Sequence, residues 1–247
     1  MQAKCAELAA AVTAYKPPPP GYEGVKVIGL IDGTTYRILK PTDHALQRRY
    51  SNKWKHIVCV SNIFVFLPDG TIAWANVNNY GMYFFSSYVM CRMRVLQHHH
   101  TRRRAGSAHD SALCKKLYER IADETKTPPG YSFLADSAFK STQEMTGRVH
   151  KPMKNGTVVR GTQTFVDERK AFDAWVISVR QAVEWGMGTL QAWFPRLTVP
   201  LTNDSRRRAR LLTVITHLHN LKTRAIGLNR IKTVFLPYLL AMNEVLD

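Results

Sequence analysis

Three acidic residues hold the chemical interest of this sequence: Asp32, Asp136 and Glu184. Asp32 closes an apolar run (Val25, Val27, Ile28, Leu30, Ile31), and Gly33 and Thr34 follow at once. Asp136 repeats the device at the end of YSFLA, again followed by small residues. Glu184 falls at the edge of an apolar helical stripe. Three converging carboxylates, with no histidine or cysteine among them, select hard divalent cations such as Mg²⁺ or Mn²⁺. Two such ions about 3.5–4 Å apart can activate an attacking oxygen and stabilise a leaving one in phosphodiester chemistry. Asp32-Gly33 also has a structural reading, because Asp-Gly between apolar runs is a strong hairpin signal. The placement of the other two acids favours the site.

The elements that must position these acids follow in order along the chain. A buried strand ends on Asp32. A polar, basic segment, His44–Lys55, comes next; its Arg48, Arg49, Lys53 and Lys55 alternate with Tyr50 and Trp54. That mixture suits phosphate contacts with stacking, and a solvated loop equally well. IVCVSNIFVFLPDGTIAWANVN reads as two strands joined at Pro68-Asp69-Gly70, which makes Asp69 a turn residue. Ser111–Glu124 has helical periodicity, with Leu113, Leu117 and Ile121 four apart. The Asp136 strand follows, then a short strand at Val149–Met153 and a Gly/Asn loop at Lys154–Thr164.

The strongest helix spans Asp173–Phe194. Trp175, Val179, Val183, Gly186, Leu190 and Phe194 form its buried stripe. Arg180 is the ordinary partner for Glu184, in an i,i+4 ion pair of the less favourable orientation. A last helix begins at Asn203–Ser205, with Arg206, Arg207 and Arg208 in its first turn and His217 and His219 as ordinary helix residues. Two strands ending in acids, joined through a crossover helix, bring both carboxylates to one edge of a sheet. A helix packed across that edge can add the third.

Composition narrows the partners. The 247 residues are 45% hydrophobic and 10% aromatic, enough for a packed core. Lys and Arg number 35 against 18 Asp and Glu, a formal charge of +17 that calls for a polyanion, above all nucleic acid. Cys5, Cys59, Cys91 and Cys114 are dispersed, with no CxxC pair, which argues against a zinc module or disulfide framework and for a reducing intracellular location. No apolar run is long enough to span a bilayer, and no membrane partner is expected. The consecutive His98–His100 do not converge on one ion. Met1–Lys16 reads as the tail of an alanine-rich helix and Pro17–Gly21 as a stiff linker, as though something preceded the chain.

Four ordered motifs resemble the DDE superfamily endonuclease domain of Harbinger-type transposases. They are IDGT at Asp32, GSAHDS ending at Asp110 and Ser111, LADSAF at Asp136, and RQAVEWGMGTLQAWFPRL around Glu184. The resemblance runs from about Val25 to Pro237. It implies an α/β, ribonuclease H-like mixed sheet flanked by helices, with residues 22–238 as the endonuclease domain. Residues 1–21 are then a remnant helix and linker, and 239–247 a C-terminal tail. It further implies a nuclease that cleaves DNA with a divalent metal held by Asp32, Asp136 and Glu184, with Asp110 as a supporting acid and further candidate ligand. Arg48, Arg49, Lys53, Arg206, Arg207 and Arg208 are the candidate DNA contacts, and the location is nuclear.

The family pattern is interrupted before the first core helix. Removing Met82–Gly106 would join NNYG to SAHDS; that block is 25 residues, hence 75 nucleotides, and preserves the frame. A retained intron or small insertion is the expectation. Family members also carry an upstream helix-turn-helix region, so a separate DNA-binding protein supplying target recognition is a further expected partner. The alternative function is a catalytically inactive transposon relic or a domesticated DNA-binding or interaction protein. A general RNA-binding domain is a third reading, disfavoured by the lack of an aromatic RNP-type strand.

Overall fold

The computed structural model describes residues 1–52, 55–79, 113–139, 143–154, 156–227 and 229–243. The candidate acid Asp110, the block Met82–Gly106, His98–His100, Lys53 and Trp54 lie outside the described residues. The described strands form one mixed sheet: β1 (Lys26–Arg37), β2 (Ser51–Asn52), β3 (Ile57–Phe66), β4 (Ile72–Asn79), β5 (Tyr131–Ala135) and β6 (Val149–His150). Its order is β2-β3-β1-β5-β6, with β4 paired to β3. β1, β3 and β4 run antiparallel, whereas β1, β5 and β6 run parallel.

The Asp69-Gly70 turn is the hairpin that the sequence leads one to expect. Gly70 takes φ +81°, a conformation that suits residues without a Cβ. Its amide donates to the Leu67 carbonyl at 2.9 Å, and Asp69 Oδ1 accepts from the amide and hydroxyl of Thr71. Asp32-Gly33 is not a turn, and the strand does not end there. β1 continues straight through to Arg37, paired with β3 from Leu30↔Phe66 to Arg37↔Cys59. The apolar run stops at Asp32 only because β1 there leaves the fully covered centre of the sheet; the backbone ladder with β3 holds the strand extended regardless of side-chain polarity.

Helices cover both faces. On one face, β-strand residues Leu30, Phe64, Phe66 and Leu134 pack with helix α4 (Gln163–Trp193), α5 (Ser205–Ile226) and α6 (Arg230–Asn243). On the other, Ile31, Val65, Phe133 and Ala135 meet α3 (Lys115–Ala122) through Leu117, Tyr118 and Ile121. The N-terminal helix α1 (Gln2–Tyr15) bridges the two. Its Ala11 and Val12 join the first cluster, and Cys5, Leu8 and Ala9 the second. The Trp175 indole N–H also donates to the Lys16 carbonyl at 2.9 Å. At the other end, α6 runs on through Pro237 to Asn243, and Leu239 is buried in the first cluster.

Several elements differ from their sequence reading. Ser51–Asn52, read as loop, is the short strand β2, and the helix that starts at Ser205 is not the last, because α6 follows it. His44–Tyr50 is helix α2, not loop, with Asp43 as its N-cap accepting from the amides of Ala45 and Leu46. The long helix starts at Gln163 rather than Asp173, capped by Thr162, whose hydroxyl accepts from the Phe165 amide. Its first two turns are largely exposed and show no apolar stripe. Hydrophobic periodicity therefore carries no signal there.

Candidate active site

The parallel pairing of β1 with β5 brings two of the three acids together. Ile31 lies in register with Ala135, so Asp32 and Asp136 are the next residues on neighbouring strands, whose backbones run about 4.8 Å apart. β5 ends at Ala135. The Asp136 carboxylate turns back on its own chain, with Oδ1 accepting from the Ser137 amide at 2.6 Å. This bond holds the carboxylate at the strand's end.

Side chains alternate along a strand, and Asp32 follows Leu30 by two positions. It therefore shares the face of Leu30 and Tyr36, which is the face covered by α4. There it meets Arg180: Nη1 lies 3.6 Å from Asp32 Oδ1, and Nη2 lies 3.8 Å from Glu184 Oε1. The side chains of Asp32 and Arg180 are 20% and 16% exposed, and that of Glu184 is 61% exposed. Glu184 lies one turn further along the helix as a largely solvated group, and its ion-pair partner among the described residues is Arg180. The i,i+4 pair foreseen in the sequence is present. Its second branch, to Asp32, was not foreseen, because it depends on how α4 crosses the sheet.

Among the described residues, no three acids, histidines or cysteines already stand together as a metal cage. The donor chemistry nonetheless suits a hard cation: every candidate ligand is a carboxylate, and a guanidinium already rests as a stand-in cation between Asp32 and Glu184.

The basic residues divide into two kinds. Arg48 and Arg49 are exposed in the last turn of α2, and Arg206 and Arg207 are exposed in the first turn of α5. Arg208 is not a surface residue. It is 0% exposed, and its guanidinium donates to Asn78 Oδ1, to the Thr202 carbonyl at 2.7 Å and to the Tyr50 hydroxyl at 2.7 Å. It also sits 4.9 Å above the Tyr50 ring. Burial lowers the Arg208 pKa, while Tyr50 and Asp204 oppose that shift. Tyr50 is buried beneath it and is not available to stack on a base. The helical spacing that turns Arg206 and Arg207 outward turns Arg208 into the core.

This buried contact joins the end of α2 to the start of α5 and so gathers the four exposed arginines around one seam. It also continues inward. The Asn78 amide N–H donates to Asn62 Oδ1 at 2.7 Å, and Asn62 Nδ2 reaches the Thr34 carbonyl at 3.4 Å, two residues beyond Asp32. The sequence signal for this network was the run Asn76-Val77-Asn78-Asn79 ending β4, since asparagine is depleted in strands unless its side chain has work inside.

A family model described as DDE superfamily endonuclease matches residues 31–220, a span that includes all three candidate acids. The search of curated proteins and the search of solved structures found no match. No helix among the described residues is long and apolar enough to cross a membrane.

Proposed function

The chain belongs to the DDE superfamily endonucleases, and from that premise we propose that it cleaves DNA phosphodiester bonds with Asp32, Asp136 and Glu184 as its acidic triad. The observation that supports this most is the parallel β1–β5 register, Ile31 against Ala135, which makes Asp32 and Asp136 the next residues in sequence along adjacent strands, while Glu184 on α4 shares Arg180 with Asp32. Enzymes of this family generally use divalent metal ions, and DNA is the substrate the family implies. Asp32, Asp136 and Glu184 would hold Mg²⁺ or Mn²⁺ here, with Asp110 as a further candidate ligand. Such an ion, when bound, would supply Lewis-acid stabilisation of the phosphate's developing charge.

The chain's own residues orient and bind. The Ser137 amide holds the Asp136 carboxylate, and the β1–β3 ladder fixes Asp32. Arg48, Arg49, Arg206 and Arg207 contact the DNA backbone, where cations give affinity without sequence reading. The four motifs favour a Harbinger-type member with a ribonuclease H-like fold, residues 22–238 as the endonuclease domain, and a nuclear location. Sequencing the spliced transcript decides whether Met82–Gly106 is a retained intron: a mature message encoding that block removes the idea.

Calorimetric titration of Mn²⁺ into the chain, beside Asp136→Ala, tests the site. Binding that the substitution abolishes is the expected result, followed by nicking of duplex DNA. Arg180 standing between two of the acids favours a second reading, a catalytically silent DNA-binding protein. That reading predicts metal-independent DNA binding and no nicking.

A further inference from the structure

Arg180 is largely covered, yet poorly anchored. Both of its ion-pair distances, 3.6 Å to Asp32 and 3.8 Å to Glu184, exceed hydrogen-bond length. Its Nε is buried and finds no acceptor among the described residues. A guanidinium kept for structure normally uses its planar fork on well-aligned acceptors, as Arg208 does in this same protein. Arg180 contributes mainly charge, delivered between two carboxylates.

We propose that Arg180 is a built-in counter-cation that competes with the divalent ion. It neutralises Asp32 and Glu184 while the site is metal-free and must withdraw for an ion to bind between them. The inference rests on the triad proposed above and adds a positioning residue that sets its metal affinity. Two carboxylates that share one guanidinium carry like charges, and either that guanidinium or a divalent ion relieves their repulsion. The two cations compete for the same carboxylates. Glu184, being 61% exposed, can turn with the arginine as it leaves.

The test is calorimetric titration of MnCl₂ into the full chain and into Arg180→Gln, Arg180→Met and Arg180→Lys, each first checked for native circular dichroism. Losing a unit positive charge about 4 Å from two ligands should tighten Mn²⁺ binding about tenfold or more in the glutamine and methionine variants. The lysine variant, which keeps the charge, should stay near the parent. Binding by Arg180→Gln where the parent binds none also supports the proposal. Affinity unchanged or weakened in both neutral variants, with binding still abolished by Asp136→Ala, overturns the counter-cation and leaves the triad standing. No Mn²⁺ binding by the parent or by any folded Arg180 variant overturns the triad and the counter-cation together.

Discussion

Acidification should destabilise this protein through one buried histidine, and the size of the effect can be worked out. His219 is 0% exposed on α5, where its Nε2 meets the Gly70 carbonyl of the β3–β4 turn at 3.2 Å and its Nδ1 has no partner among the described residues. The Trp193 ring lies 5.1 Å away. Burial pulls the pKa down from 6.5 to about 4, with the bond to Gly70 opposing that shift. The unfolded chain therefore takes up a proton from about pH 6.5 downward, while the folded protein resists until about pH 4. The neutral, buried imidazole thus favours folding above pH 6.5, and that advantage shrinks as pH falls through the window. Between pH 7 and pH 4.5 the loss is about 2.5 kcal/mol from these two values. Urea unfolding at both pH values, on the parent and on His219→Gln, isolates the effect, because the glutamine amide reaches the position of Nε2, keeps a donor for Gly70 and does not titrate. The parent should lose about 2.5 kcal/mol more than the variant across that interval. Equal losses would refute the reasoning.

Arg208→Met should lower stability by about 3 kcal/mol, because acceptors at Asn78, Thr202 and Tyr50 lose their donor; an unchanged urea midpoint would show that the buried cation is dispensable. Gly186→Ala would place a Cβ 2.5 Å from Ile231 Cδ1 and 3.0 Å from the Phe66 ring. The helical preference for alanine is worth about 1 kcal/mol, and overpacking should outweigh it, for a net loss of about 1 kcal/mol in chemical denaturation. A stabilised variant would mean that α4 and α6 can part to admit a methyl group without strain. Replacing Arg48, Arg49, Arg206 and Arg207 with alanine should flatten the salt dependence of DNA binding by about 0.9 for each phosphate the arginines no longer neutralise, read from fluorescence anisotropy at several salt concentrations. An unaltered slope would place the DNA elsewhere.

The strands β1, β3, β4 and β5, the Asp69-Gly70 hairpin and the buried stripe of α4 were legible in the sequence because each leaves a local periodic or turn signal, whereas the two-residue β2 leaves none. Asp32 and Asp136 were legible as a pair because both follow short apolar runs, and parallel pairing makes such ends neighbours. The continuation of β1 past Asp32 was not, since its reason lies in the ladder with β3 rather than in its own side chains. Arg206, Arg207 and Arg208 look alike in sequence, and only the angle at which α5 meets Tyr50 and Asn78 separates two surface cations from a buried one. The Arg180 bridge was half legible: the helix gives its spacing to Glu184, whereas its reach to Asp32 is a tertiary fact.

The register of β1 against β5 also bears on the order of events as the chain folds. β1, β3 and β4 can meet as neighbouring antiparallel segments, and β3 and β4 close through a tight turn. The pairing of Ile31 with Ala135 instead closes a loop of roughly a hundred residues, and the hydrogen bonds of Arg208 to Tyr50 and Asn78 span 158 and 130. Closing long loops costs entropy before any contact repays it, which makes such pairings slow. Asp32 and Asp136 would then become neighbours only late in folding. An early, partly collapsed chain would hold its acids apart and offer no chelating pocket, so a divalent ion could reward the finished fold without guiding the chain toward it.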